Sequence, residues 1–201
     1  METQSQRERR FRIENAAYAV LQDKGYKGTS MLAIAKKAGC SNETLYRWYG
    51  NKQALFASLV VANAEVVKSQ IEQSIQSDGD TIEELRLLGP RLLRVVTSRK
   101  AVALNRAAAV DVYHTKTLGV AIADGGKNTI APPVGRLIQN GLDRGALQGG
   151  TAQQIGQIYM AVLIGDVQIQ RAIGVISELP PQECKDRADR ACAVIQKLYG
   201  A

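Results

Sequence analysis

The sequence predicts an all-α protein. Three observations predict it. Apolar residues recur three and four apart in one segment after another, the spacing of a buried helix face. No segment alternates polar and apolar residues as a half-buried strand would. Glycine and proline fall mostly between the periodic segments, where they stop or start helices. With 45% hydrophobic residues in 201, the chain can bury a core and is not a disordered one.

The elements follow in order. Residues 1–10 are polar, hold Arg7, Arg9 and Arg10, and are expected to form a flexible basic arm. Phe11 to Lys24 reads as the first helix, with Ile13, Ala16, Ala17, Val20 and Leu21 inward and Gly25 as its stop. Thr29 or Ser30 can cap a second helix, whose apolar face is Met31, Ile34, Ala35 and Ala38. Gly39 ends it, because glycine enters the left-handed conformation without a Cβ clash. Ser41 or Asn42 can cap a third helix, with Leu45 and Tyr49 four apart on its inner face. Asn51 can cap a long fourth helix from Lys52 to about Ser77, lined by Leu55, Leu59, Ala62, Val66 and Ile71. Thr81 to about Ser98 is helical, with a kink expected at Gly89-Pro90. Ala101 to His114 is Ala-rich, and Thr117 to about Asp143 is at least two pieces, given Gly125-Gly126 and Pro132-Pro133. Ala152 to Gly174 is long and apolar on several faces, and Pro180-Pro181 starts a last helix to about Tyr199.

Thr29 to Lys52 is the most informative stretch. Two short helices joined by a tight glycine turn can place the second in the DNA major groove. The outer face of that second helix carries Asn42, Glu43, Thr44, Tyr46, Arg47 and Trp48, side chains that can meet phosphates and base edges. Charge agrees. Residues 1–55 hold ten Lys/Arg against five Asp/Glu, so +5 of the formal +7 lies in this part. Positive charge concentrated at such a motif is what phosphate binding requires.

At GTSMLAIAKKAG and CSNETLYRWYGNKQAL, residues 11–56 resemble the N-terminal domain of TetR/AcrR-type transcriptional regulators. The Gly-Thr, Ile-Ala, Ala-Gly, Leu-Tyr-x-aromatic-aromatic and Lys-x-Ala-Leu features of that family are all present, with Tyr49 where Phe is usual and Cys40 where Val is common. LIQNGLDRGAL and the long apolar helix after it loosely resemble the AcrR/AefR-like branch. The resemblance implies a helix-turn-helix domain over residues 11–56 and a helical effector-binding and dimerisation domain over 57–201.

It also implies roles. Thr29, Tyr46, Trp48 and Lys52 would contact phosphates. Asn42, Glu43, Thr44 and Arg47 are the candidates to face bases, and Trp48 is also compatible with a partly buried place. A small apolar or amphipathic effector would enter among Leu88, Leu92, Val96, Leu104, Ala108, Val112, Tyr113, His114, Leu118, Ile122, Ile138 and Met160. The last two helices would form a homodimer interface through Tyr159, Val162, Leu163, Asp166, Ile169, Ile173, Cys192, Ile195 and Tyr199. The expected function is a ligand-responsive repressor. It would bind a double-stranded DNA operator, an inverted repeat, as a dimer.

Other classes fare worse. A single histidine, His114, leaves no His-rich metal site and no His–Cys–carboxylate set, so neither a metal nor an enzyme activity is expected. Gly125-Gly126-Lys127 fails as a phosphate loop, since Ala121 stands where the first glycine belongs and Asn128 where Ser or Thr should hold magnesium. No cofactor is implied. Three cysteines without a CxxC pair suggest a reducing, cytoplasmic setting. A thiol sensor at Cys40 lacks a second cysteine nearby. No apolar run reaches the roughly 20 residues a membrane helix needs. A helical scaffold without DNA binding is the alternative.

Overall fold

A computed structural model describes residues 3–72 and 79–201. Its helices are α1 Gln4–Gly28, α2 Met31–Ala38, α3 Asn42–Tyr49, α4 Lys52–Glu72, α5 Thr81–Val96, α6 Arg99–Asp111, α7 Thr117–Gly125, α8 Ala131–Asp143, α9 Ala152–Ile164, α10 Val167–Ile173 and α11 Pro181–Tyr199. A π-helical turn, Gly126–Ile130, joins α7 to α8. Among the described residues there is no strand, only an isolated bridge between Leu147 and Gly200.

Several boundaries differ from the sequence reading. Residues from Gln4 onward are helical, not a loose arm. Thr3 closes a capping box, its Oγ1 accepting from the Gln6 N–H at 3.3 Å while its own N–H donates to Gln6 Oε1 at 2.7 Å. Gly25, at φ 65° and ψ 173°, does break the helical dihedrals, but helical backbone resumes beyond it. The expected end of α4 near Ser77 lies outside the described residues, as do Met1 and Glu2. Pro90 sits inside α5, which continues to Val96. Gly165, at φ 51° and ψ −129°, separates α9 from α10, so the long helix expected over 152–174 is two.

The chain forms two compact units that are not contiguous in sequence. This differs from the expected 11–56 and 57–201. The first unit runs to Asn63 and also takes in Ala103–Ala123. Its core joins Ile13, Ala17 and Leu21 of α1, Ile34 and Ala35 of α2, Leu45 of α3 and Leu55, Phe56 and Leu59 of α4 to Leu104, Ala107 and Leu118. Each of the leucines and isoleucines, and Phe56, contributes about 1.5–3 kcal/mol when fully buried, and each alanine less.

The second unit, Ala64–Val102 with Asp124–Ala201, packs α5 against α9 and α11. Gly89 makes the close approach possible, because a Cβ there would lie 2.6 Å from the Ala188 Cβ. Tyr159 is fully buried and donates its hydroxyl to Leu85 O at 2.6 Å. Buried Arg171 donates through Nε and Nη2 to Thr97 O at 3.0 and 2.8 Å, and Gln168 donates to Val96 O at 3.2 Å. Those two side chains of α10 satisfy carbonyls that the end of α5 leaves open.

Candidate nucleic-acid interface

The sequence builds a rigid turn between two short helices. Ser30 caps α2, its Oγ accepting from Ala33 N–H at 3.2 Å. Gly39 ends α2 in the left-handed conformation, φ 65° and ψ 39°, and Cys40 N–H returns to Ala35 O at 3.1 Å. Ser41 caps α3, accepting from Thr44 N–H at 3.1 Å. Gly50, at φ 76°, ends α3 and donates to Tyr46 O at 2.7 Å. Leu45 has no exposed surface and pins α3 to the first core.

That burial leaves the opposite face outward. Glu43, Tyr46 and Arg47 are exposed, Asn42 and Thr44 half-buried. Thr44 Oγ1 shares a hydrogen bond with Ser41 Oγ at 2.9 Å. Trp48 and Tyr49 are half-buried against the first core. The face therefore offers a guanidinium, a phenol and a carboxylate on one short helix, with half-buried Trp48 beside them.

Two residues expected on phosphates point elsewhere. Thr29 is 3% exposed, and its hydroxyl donates to Gly25 O at 2.7 Å, closing the end of α1. Lys52 turns its ammonium inward, donating to Tyr26 O at 2.9 Å and Thr29 O at 3.1 Å, 4.3 Å from the Tyr26 ring centroid. Cations suit the open carbonyls of a helix C-terminus, which is the physical reason Lys52 settles there. Burial lowers its pKa, and the charge of Asp111 opposes that shift.

Asp111 is the residue that sequence reasoning missed. Its side chain is fully buried, accepts from Thr115 Oγ1 with both oxygens at 2.8 Å, and accepts from Leu118 N–H at 3.2 Å. The Tyr26 hydroxyl lies beside it, short of a full hydrogen bond in geometry. Burial first, and the Asp111 charge second, push the Tyr26 phenol up to about 12. These bonds close the α6–α7 corner, which Leu104, Ala107 and Leu118 pack into the core of the helix-turn-helix.

The expected effector lining is divided. Leu104, Ala108, Leu118 and Ile122 belong to the first core. Leu88, Leu92, Ile138 and Met160 belong to the second, and Val96 is buried in the second unit. Val112, Tyr113 and His114 are exposed, Tyr113 by 87%. The expected dimer residues also divide. Tyr159, Leu163, Cys192 and Ile195 have no exposed surface within one protomer, so a partner has nothing of them to cover. Asp166, Ile169 and Ile173 are exposed, and Val162 and Tyr199 half-buried. Among the described residues no group of His, Cys, Asp and Glu is placed to hold a metal, and no helix is long and apolar enough to cross a membrane.

Known proteins match along the whole chain. The family described as bacterial regulatory proteins, tetR family, matches residues 13–59. The C-terminal domain of AefR-like transcriptional repressors matches residues 83–201. An uncharacterized HTH-type transcriptional regulator of Bacillus subtilis, YvkB, is 36% identical over 44% of this chain, which spans about half, 46%, of that relative. The HTH-type transcriptional repressor KstR of Mycolicibacterium smegmatis is 23% identical over 85% of this chain and 78% of its own. The crystal structure of a TetR-family transcriptional regulator from Mesorhizobium loti superposes with a TM-score of 0.87 at 27% identity, covering 100% of both chains.

Proposed function

The chain belongs to the TetR family of bacterial regulatory proteins, and on that premise we propose that it is a ligand-responsive repressor that binds an inverted-repeat operator as a homodimer. The observation that carries this reading is the exposed Glu43–Tyr46–Arg47 face of α3, held outward by buried Leu45 between two capped glycine turns.

Arg47 is the base reader, since its planar fork can take guanine O6 and N7 together, worth about 1–3 kcal/mol of discrimination. Glu43, Thr44 and Asn42 flank it toward bases. Tyr46 and the indole edge of Trp48 hold phosphates. Thr29 and Lys52 serve from behind, keeping the α1–α2 corner in place instead of touching DNA.

A dimer uses the exposed Ile169 and Ile173, with Asp166, Val162 and Tyr199 around them. Two recognition helices about 34 Å apart would then meet successive major grooves on one face of the duplex. The AefR-like repressor match over residues 83–201 supports repression as the mode of regulation. A small apolar or amphipathic molecule would release the operator, and the protein would act in the cytoplasm.

The test is selection of bound fragments from genomic DNA at about 150 mM salt, an ionic strength that penalises contacts made to phosphates alone. Recovery of one inverted repeat supports the reading. Folded protein that enriches no sequence, with and without cell-extracted small molecules, refutes it.

A further inference from the structure

We propose that Arg9 is part of the DNA reader: it orients the Trp48 indole and supplies a second donor to the phosphate that Trp48 holds. The inference rests on the DNA-binding reading above and adds a residue outside the segment, 13–59, that the family match covers.

Three observations carry it. The N-terminal segment is a capped extension of α1, so Arg9 stands on a helix with a fixed direction. Gln4 Nε2 donates to Glu8 Oε1 at 3.2 Å one turn along, which supports the extension further. The Arg9 guanidinium carbon then lies 5.9 Å from the Trp48 ring centroid, within cation–π range, and Arg9 is half-buried. A guanidinium resting on a ring spends its face on the ring, while its N–H donors point outward in the plane. Trp48 donates in the same manner, from the indole N–H at its edge. The contact places one positive charge and its N–H donors at the Trp48 ring, beside the recognition helix. An anionic oxygen between two ester links of a DNA strand fits that arrangement.

Arg9 is a positioning residue for Trp48 and a phosphate ligand in its own right. Trp48 is the only tryptophan of the chain, so its fluorescence reports the contact directly. In free protein, Arg9→Ala should shift Trp48 emission to the red and steepen acrylamide quenching, with the melting temperature nearly unchanged. On the selected operator it should weaken binding about threefold to tenfold at 150 mM salt and lower the slope of log K against log salt by about one. Arg9→Lys should restore the slope, since it keeps the charge, but leave Trp48 more open to quencher, since an ammonium does not stack as a planar fork does. Unchanged quenching in Arg9→Ala overturns the contact, and an unchanged slope overturns the phosphate role. If wild-type protein selects no operator, it is the DNA-binding reading that fails, and the quenching comparison still decides the Arg9–Trp48 contact.

Discussion

Replacing Asp111 by alanine should cost the protein far more than an ordinary helix-end substitution. The carboxylate has no exposed surface and receives two hydrogen bonds, one from the Thr115 hydroxyl, shared between both oxygens, and one from Leu118 N–H. Alanine leaves the buried Leu118 N–H without its acceptor, at about 1–3 kcal/mol, while the hydroxyl of exposed Thr115 turns to water at about 1 kcal/mol or less. It also removes the negative charge facing Lys52, whose ammonium keeps its two carbonyl partners and so adds little to the loss. The expected total is about 2–4 kcal/mol, most of it from the buried N–H left without a partner. Asp111→Asn keeps the volume and one acceptor oxygen, and should lose about 1–3 kcal/mol. Urea unfolding followed by circular dichroism measures both, provided the slope with urea is the same in each variant. A loss below about 1 kcal/mol for Asp111→Ala would refute the reasoning, because it would mean that water replaces the carboxylate at no cost.

Three further outcomes are expected. Arg47→Ala should relax the preference at a single position of the half-site, whereas Tyr46→Ala should weaken all sequences alike; selection on randomised half-sites separates the two. Ile169→Asp with Ile173→Asp should yield a monomer by sedimentation while changing protomer stability by less than about 1 kcal/mol, since both side chains are exposed in one protomer; a dimer that persists places the interface elsewhere. Stability should be at its full value below pH 10 and fall as pH rises toward 12, because the folded Tyr26 phenol ionises at about 12 against 10.0 unfolded. The sign follows from the raised folded value, which favours the neutral form, and a shift of this size is worth about 2–3 kcal/mol. A flat urea midpoint between pH 9.5 and 11.5 would contradict it.

The helices were legible because their signals are local. Caps at Ser30 and Ser41, the glycine at position 39 and the buried spacing of Ile34, Ala35 and Leu45 all act within a few residues, and the structure forms each as read. The α1 extension was equally local and was overlooked. Thr3 followed three residues later by Gln6 is a capping-box pattern, visible in the sequence beneath the impression of a charged arm. Pro90 lies within α5, which is held on both sides of it by buried Leu85, Leu88, Leu92 and Leu93 and runs on to Val96.

The side-chain surroundings were not legible where they depend on distant segments. Leu163, Cys192 and Ile195 read as interface because α9 and α11 carry more apolar positions than one face needs. The surplus is taken up within the protomer, by α5. Periodicity counts apolar faces but does not say which chain covers them. Lys52 shows the same limit in a polar group. At the start of a helix, beside a recognition helix, it has the sequence context of a phosphate ligand. Its environment is set by Tyr26 and Thr29 before it and by Asp111 far after it. The DNA-reading unit is therefore completed by Ala103–Ala123, a segment that no local pattern connects to the helix-turn-helix. The carboxylate of Asp111 on α6 lies where its charge is felt by Tyr26 and Lys52, the two residues at the corner on which α2 begins.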